Sequence, residues 1–209
     1  MKLNYGMVGG GEGGFIGDVH RRAIALDGKS RLVTGCFSRD HQNNILTASK
    51  LGLEEQRIYA DYKRMAEWEG KRSDRIDFVV IATPNNTHYP IARLFLENGI
   101  NVVCEKPFTL SSNQAKELIE LADLKGLQLC LTYSYTGYSM VKKARDMIRN
   151  EMLGDIRFIN IEYPQEWLSS RIEVSGNKQA SWRLDPEQAG PSSCIGDIGT
   201  HVENLAWYI

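Results

Sequence analysis

A doubly wound α/β fold is what this sequence predicts, on three observations. Strand-length apolar runs alternate with amphipathic, helix-length stretches from Asn4 to Glu151. One of those runs, Ile76–Ala82, is almost unbroken apolar, as a parallel strand covered on both faces must be. The connections are a few residues long, as in successive βαβ units joined by right-handed crossovers.

The elements follow in order. Asn4–Gly9 is a strand that feeds a glycine run. Phe15–Leu26 is a helix, with Ile16, Val19, Ala23 and Leu26 on one face. Leu32–Phe37 is a strand, Asn43–Leu51 a helix closed by Gly52, Ile58-Tyr59 a short third strand and Tyr62–Glu69 a helix. After Ile76–Ala82 come a helix over Asn86–Asn98, closed by Gly99, and a strand over Asn101–Cys104. Ser112–Lys125 is a helix behind the polar cap run Ser111-Ser112, with Gly126 after it. Leu127–Thr132 is a strand and Met140–Glu151 a helix.

The pattern changes after Gly154. Ile156–Tyr163 alternates, as a strand of an antiparallel sheet with one solvated face does. Residues 165–193 carry little periodicity but hold Trp167, Arg171, Trp182, Arg183, Pro186 and Pro191, and a loop of that length is usually functional or disordered. Gly196-Asp197-Ile198-Gly199 then opens a helix that runs to an apolar end, Leu205-Ala206-Trp207-Tyr208-Ile209. The predicted organisation is one α/β domain over residues 1–135 and the opening of an α+β domain over 136–209, read as incomplete.

Composition narrows the function classes. With 42% hydrophobic residues the 209-residue chain can bury a sizeable core, and a net charge of −1 gives no bulk attraction for nucleic acid or an anionic membrane. No window approaches the roughly 18 apolar residues that cross a bilayer. Met1-Lys2-Leu3 runs into the first strand without a signal-peptide core, so the reading is a cytoplasmic protein. Cys36, Cys104, Cys130 and Cys194 form no CxxC pair, and the first three sit in strand-like runs, where buried thiols are expected.

The glycine run gives the first functional signal. Gly9-x-Gly11-x-x-Gly14 follows a strand and opens a helix, and Gly14-x-x-Gly17 extends it. Glycine permits the tight turn and the close approach of backbone to a pyrophosphate, and the helix start, at Phe15 and Ile16, offers N–H groups to it. This predicts a dinucleotide-binding Rossmann domain. At the end of the second strand, an acidic residue takes the ribose hydroxyls of NAD, whereas an Arg accommodates the 2′-phosphate of NADP. Ser38 and Arg39 there lean toward NADP, and Asp40 keeps NAD open.

Further motifs carry a family resemblance. Gly17-Asp18-Val19-His20 follows the fingerprint. Ala82-Thr83-Pro84-Asn85-Asn86-Thr87-His88 and Glu105-Lys106-Pro107 close two later strands, and Gly196-Asp197-Ile198-Gly199-Thr200-His201 opens a late helix. Jointly, and in this order over the whole chain, they resemble the Gfo/Idh/MocA family of sugar and polyol oxidoreductases. Members carry a complete C-terminal domain with a large open sheet, of which this chain is read as holding only the opening strand and helix.

The chemistry asks for a proton acceptor with a pKa near working pH and a fixed cation for the developing alkoxide. His201 is the natural base, Asp197 lies four residues earlier on the same helix face, and Lys106 sits at the C-terminal edge of a strand, where open sheets put their ligands. The resemblance implies that Lys106 polarises the reacting oxygen, His201 exchanges the proton and Asp197 holds a neighbouring hydroxyl. It also implies that Thr83, Asn85, His88, Glu105 and Pro107 line the nicotinamide side. Tyr133 and Tyr135 would face substrate, with Trp182 and Arg183 as further members of that surface. The Lys106–Pro107 peptide is expected to be cis. His20 reads as structural and His41 as exposed. Asp197 and His201 lack a third ligand at helical spacing, so no metal is expected.

The sequence thus predicts an NAD- or NADP-dependent enzyme acting on a small sugar, inositol or polyol. A homo-oligomer of family type would be weakened if the C-terminal sheet is missing. The competing reading is a dinucleotide-binding module or sensor without turnover, and a metal-assisted hydrolase or lyase is the third.

Overall fold

The computed structural model describes residues 2–167 and 169–209. Two units divide the chain, Met1–Leu131 and Thr132–Ile209. The first is built on parallel strands β1 (Leu3–Gly9), β2 (Ser30–Cys36), β3 (Phe78–Ala82), β4 (Asn101–Cys104) and β5 (Leu129–Leu131), in the order β2-β1-β3-β4-β5. Because β1 pairs with both β2 and β3, the winding reverses there, and Gly9 at the end of β1 lies opposite Ala82 at the end of β3. That reversal opens a crevice at the carboxyl ends of the strands.

Helices α1 (Ile16–Ala25), α2 (His41–Lys50), α3 (Tyr62–Lys71), α4 (His88–Glu97) and α5 (Ser112–Lys125) connect them. Their starts follow local chemistry: Asp40, Asp61 and Ser111 each accept a backbone N–H of the first turn of α2, α3 and α5. Two apolar layers sandwich the sheet. One gathers Val8, Val79, Ile81, Val102, Ile91, Phe95 and Leu118, and the other Tyr5, Met7, Val80, Phe37 and Ala48. Alternate residues of β3 thus serve opposite faces, which explains its unbroken apolar sequence. Each such fully buried side chain contributes about 1.5–3 kcal/mol relative to exposure.

The second unit contains α6 (Ser139–Arg149), α7 (Lys178–Leu184), α8 (Pro186–Ala189) and α9 (Thr200–Tyr208), the last preceded by a π-helical turn over Ile195–Gly199. Tyr208 on α9 returns to α6, its ring under the Arg145 guanidinium at 4.7 Å and its hydroxyl 2.6 Å from Nη1.

Four expectations need correction. Ile58-Tyr59 is no strand but a single bridge, Gly35 to Ile58, since two residues are too few for a ladder. Ile156–Tyr163 forms no strand either: Phe158 is 83% and Ile159 57% exposed, and no neighbouring strand pairs with this segment among the described residues. An alternating pattern supplies a face, but ladder hydrogen bonds need a partner. The 165–193 stretch is not one long loop, for α7 and α8 lie in it, the first capped by Asn177 and the second by Asp185 with Pro186 in its first turn. Cys130, expected buried, is exposed on the edge strand β5. Cys36 and Cys104 are buried, and burial pushes both thiols up, Cys36 to about 12, so neither is a nucleophile at neutral pH.

Candidate functional site

The glycine loop between β1 and α1 is held from three sides. Arg21 of α1 donates to Gly10 O at 2.8 Å, Gly11 N–H donates to Phe37 O at 3.1 Å, and Glu12 N–H reaches Asn43 and Thr47 of α2 at 3.1 and 2.9 Å. Gly9 turns at φ +84°, which bars a side chain there. A Cβ on Gly11 would come within 2.6 Å of Asn43 Oδ1 and 2.9 Å of Phe37 O, and one on Gly14 within 2.9 Å of Gly11 O. Gly17 packs the first turn of α1 against Gly10, where a Cβ would come within 2.3 Å of Gly10 Cα. No side chain caps α1, and Phe15, just before Ile16, is 65% exposed. A bare, closely approached helix start of this kind fits a dinucleotide pyrophosphate.

Asn44 fixes the loop after β2, accepting from Ser38 N–H at 2.8 Å and donating to Ser38 O at 2.9 Å. Asp40 spends its carboxylate on Gln42 N–H at 3.0 Å, capping α2. Arg39 is exposed beside it.

The ends of β3 and β4 meet through His88. Its Nε2 lies 2.9 Å from Thr83 O and its Nδ1 2.7 Å from Pro107 O, on either side of the ring. The imidazole is fully buried, and burial holds its pKa below the ordinary value although both carbonyls and Glu105 pull the other way. Thr87 donates to Pro84 O at 2.7 Å, shaping the turn, and Asn85 is buried within it. The Lys106–Pro107 peptide is cis, as expected. Glu105 accepts from His20 Nε2 at 2.9 Å and from Lys106 N–H at 3.2 Å. Lys106 itself is half-buried.

In the second unit an aromatic group surrounds His201. The Tyr135 ring stands edge-on to the imidazole at 4.7 Å and the Tyr133 ring at 5.9 Å. The Tyr133 hydroxyl lies 2.6 Å from Thr200 Oγ1, and the Tyr135 hydroxyl 2.5 Å from that of Tyr163. That hydrogen bond, then burial, pushes the Tyr135 phenol up to about 12. Asp197 accepts from Arg183 Nε at 3.2 Å, and the Arg183 guanidinium lies over the rings of Trp182 at 4.4 Å and Trp167 at 5.5 Å. The second unit therefore brings Asp197 together with Arg183, and His201 with Tyr133 and Tyr135. The first unit brings Lys106, Glu105, Pro107, His88 and Thr83 together.

Residues 3–133 match the family described as "Oxidoreductase family, NAD-binding Rossmann fold", and residues 141–209 match the "GFO/IDH/MocA C-terminal domain". The chain belongs to the Gfo/Idh/MocA family. It is 37% identical over 208 residues to the uncharacterized oxidoreductase YfiI of Bacillus subtilis, covering 99% of this chain and 53% of that protein. It is 29% identical to the levoglucosan dehydrogenase of Pseudarthrobacter phenanthrenivorans, covering all of this chain and 51% of that one. Among solved structures it resembles an inositol dehydrogenase homolog of Azotobacter vinelandii complexed with NAD+, at TM-score 0.95 and 38% identity, covering 99% of this chain and 53% of that one. The chain thus spans about half the length of the relatives it matches.

Within this Gfo/Idh/MocA chain, three contacts escaped the sequence reading. Tyr163 meets Tyr135 across 28 residues, and His20 meets Glu105 across 85. Asn44 holds Ser38 from inside a helix where it looks like any polar residue. No local spacing signals the first two, because the fold alone brings them together.

Proposed function

We propose that the protein is an NAD- or NADP-dependent oxidoreductase that oxidises a secondary alcohol of a sugar, inositol or related polyol, or reduces the matching ketone. One observation carries this reading: the glycine loop and Lys106 stand at the carboxyl ends of strands of one parallel sheet, in a chain of the Gfo/Idh/MocA family. The polyol class is supported by relatives whose names speak of inositol and levoglucosan.

Gly9, Gly11, Gly14, Phe15 and Ile16 would hold the pyrophosphate, and Ser38 and Arg39 the adenosine ribose. Thr83, Asn85, His88, Glu105 and Pro107 would border the nicotinamide, which supplies the hydride carrier. Lys106 then stabilises negative charge on the reacting oxygen, while His201 takes the hydroxyl proton. Asp197, oriented by Arg183, accepts a hydrogen bond from an adjacent hydroxyl. Tyr133, Tyr135, Trp182 and Arg183 would contact the polyol, whose C–H faces suit aromatic rings. Arg39, exposed beside the α2 cap, is the cation for a 2′-phosphate, which supports a lean toward NADP, while Asp40 uses one carboxylate oxygen on that cap and keeps NAD open.

The test is titration with NADH and NADPH by cofactor fluorescence, with Gly11→Val as control, followed by a polyol screen. Saturable binding lost in Gly11→Val, with turnover of a polyol, is the expected outcome. Binding without turnover would leave a dinucleotide-binding module, and no binding by folded protein would end the enzyme reading.

A further inference from the structure

We propose that His20 is a positioning residue that acts through Glu105 to fix the backbone at Lys106. This rests on the reading of Lys106 as the group that meets the reacting oxygen.

Both carboxylate oxygens of Glu105 are engaged. Oε1 accepts from Nε2 of His20 at 2.9 Å, and Oε2 accepts from the backbone N–H of Lys106 at 3.2 Å. The carboxylate is thereby held at both ends. His20 and Glu105 side chains are only 12% and 13% exposed, so water competes little for this contact. His20 stands on α1, the helix opened by the glycine loop, whereas Glu105 lies at the end of β4, with its N–H on Ile81 O at 3.0 Å extending the sheet ladder. The pair therefore ties the phosphate-facing helix to the strand end that presents Lys106.

On the other side of Lys106, the Pro107 carbonyl lies 2.7 Å from His88 Nδ1. Two histidines thus bracket this lysine, one through a carboxylate before it and one through a carbonyl after it. The two are not equivalent. His88 is buried among carbonyls and holds backbone. His20 holds the carboxylate whose other oxygen accepts the Lys106 backbone N–H, so a carboxylate released from His20 is free to rotate and that N–H···O contact weakens. Loss of the His20 donor should consequently move the Lys106 amide signal, and a restored donor should bring it back.

The experiment compares His20→Met, which keeps bulk but loses the donor, with His20→Gln, which restores an N–H donor. The full chain is labelled with ¹⁵N-lysine, and the Lys106 backbone amide signal is assigned by its absence in Lys106→Arg. The expected result is a Lys106 amide proton displaced upfield in His20→Met, as a weakened N–H···O contact requires, and returned toward wild type in His20→Gln. NADH binding, followed in parallel, should stay within about threefold in both variants. An unmoved Lys106 amide signal in His20→Met overturns the proposal, and so does the same displacement in the Met and Gln variants. Failure of the wild-type protein to bind any dinucleotide sinks the functional reading instead, and leaves the Lys106 measurement to be judged by itself.

Discussion

Arg39 and His88 show how one side chain can carry a functional or a stability consequence. Arg39 is the exposed cation beside the end of β2 placed to meet a 2′-phosphate, against the charge that Asp40 keeps while it caps α2. Arg39→Ala should therefore weaken NADPH by about tenfold or more, the worth of a charge-assisted contact, and leave NADH nearly unchanged. Equal loss for the two cofactors in a fluorescence titration would show that Arg39 does not read the 2′-phosphate. His88 acts on stability. Its folded pKa lies below the ordinary value, burial outweighing its two carbonyl neighbours. The unfolded chain therefore takes up this proton first as pH falls. Stability that His88 supplies above its unfolded pKa of about 6.5 is lost progressively below it. Urea unfolding at about pH 7.5 and pH 5.5 should show that loss in the wild type and less of it in His88→Gln. An equal loss in both proteins would assign the acid sensitivity to other groups.

The segment after β2 and helix α3 depend on a charge that no solvent reaches. Glu69 on α3 is fully buried and takes Arg57 at both oxygens, 2.9 and 2.7 Å, while Tyr59 donates to it at 3.0 Å. Arg57 also donates to Asp74 O at 2.8 Å, so one guanidinium links three pieces of chain. Glu69→Gln would leave that buried cation with only the exposed Asp74 carboxylate, 3.3 Å from Nη1, as counter-charge, a loss of up to about 3 kcal/mol, whereas the double change Glu69→Leu, Arg57→Met should cost distinctly less. Chemical denaturation of the single and double variants checks this, and a double variant as unstable as the single would show that the pair itself, and not the under-compensated charge, sets the loss. This cluster also marks how far the sequence could be read. Strands β1, β3 and β4 were legible because burial on both faces demands continuous apolar runs, and α5 because Ser111 and Gly126 punctuate it. Ile156–Tyr163 was misread because alternation carries no information about a partner strand. In the candidate site, glycines and Lys106 stood out by their place after strands. Glu69, His20 and Tyr163 did not, since each is defined by a partner 10 to 85 residues away.

Met1–Leu131 and Thr132–Ile209 divide the proposed machinery, with the dinucleotide residues and Lys106 in the first unit and Asp197 and His201 in the second. A ligand that binds only the folded form stabilises what it touches, by about 2.7 kcal/mol at a hundredfold excess over its Kd. For a unit the size of the first, that corresponds to a rise of roughly 5–10 °C in its melting temperature. Calorimetry of the 209-residue chain with NADH or NADPH should therefore show that rise in the transition belonging to the glycine-loop unit. Gly11→Val should abolish it, because the added side chain meets Asn43 Oδ1 and Phe37 O and forces the glycine loop out of place. If the chain melts in one transition, the rise belongs to the whole of it and the two units unfold together. If it melts in two and only the first moves, dinucleotide binding is a property of the Rossmann unit alone. A saturating cofactor that moves neither transition would mean that the glycine loop, despite its geometry, holds no dinucleotide, and the proposed function would fall with it.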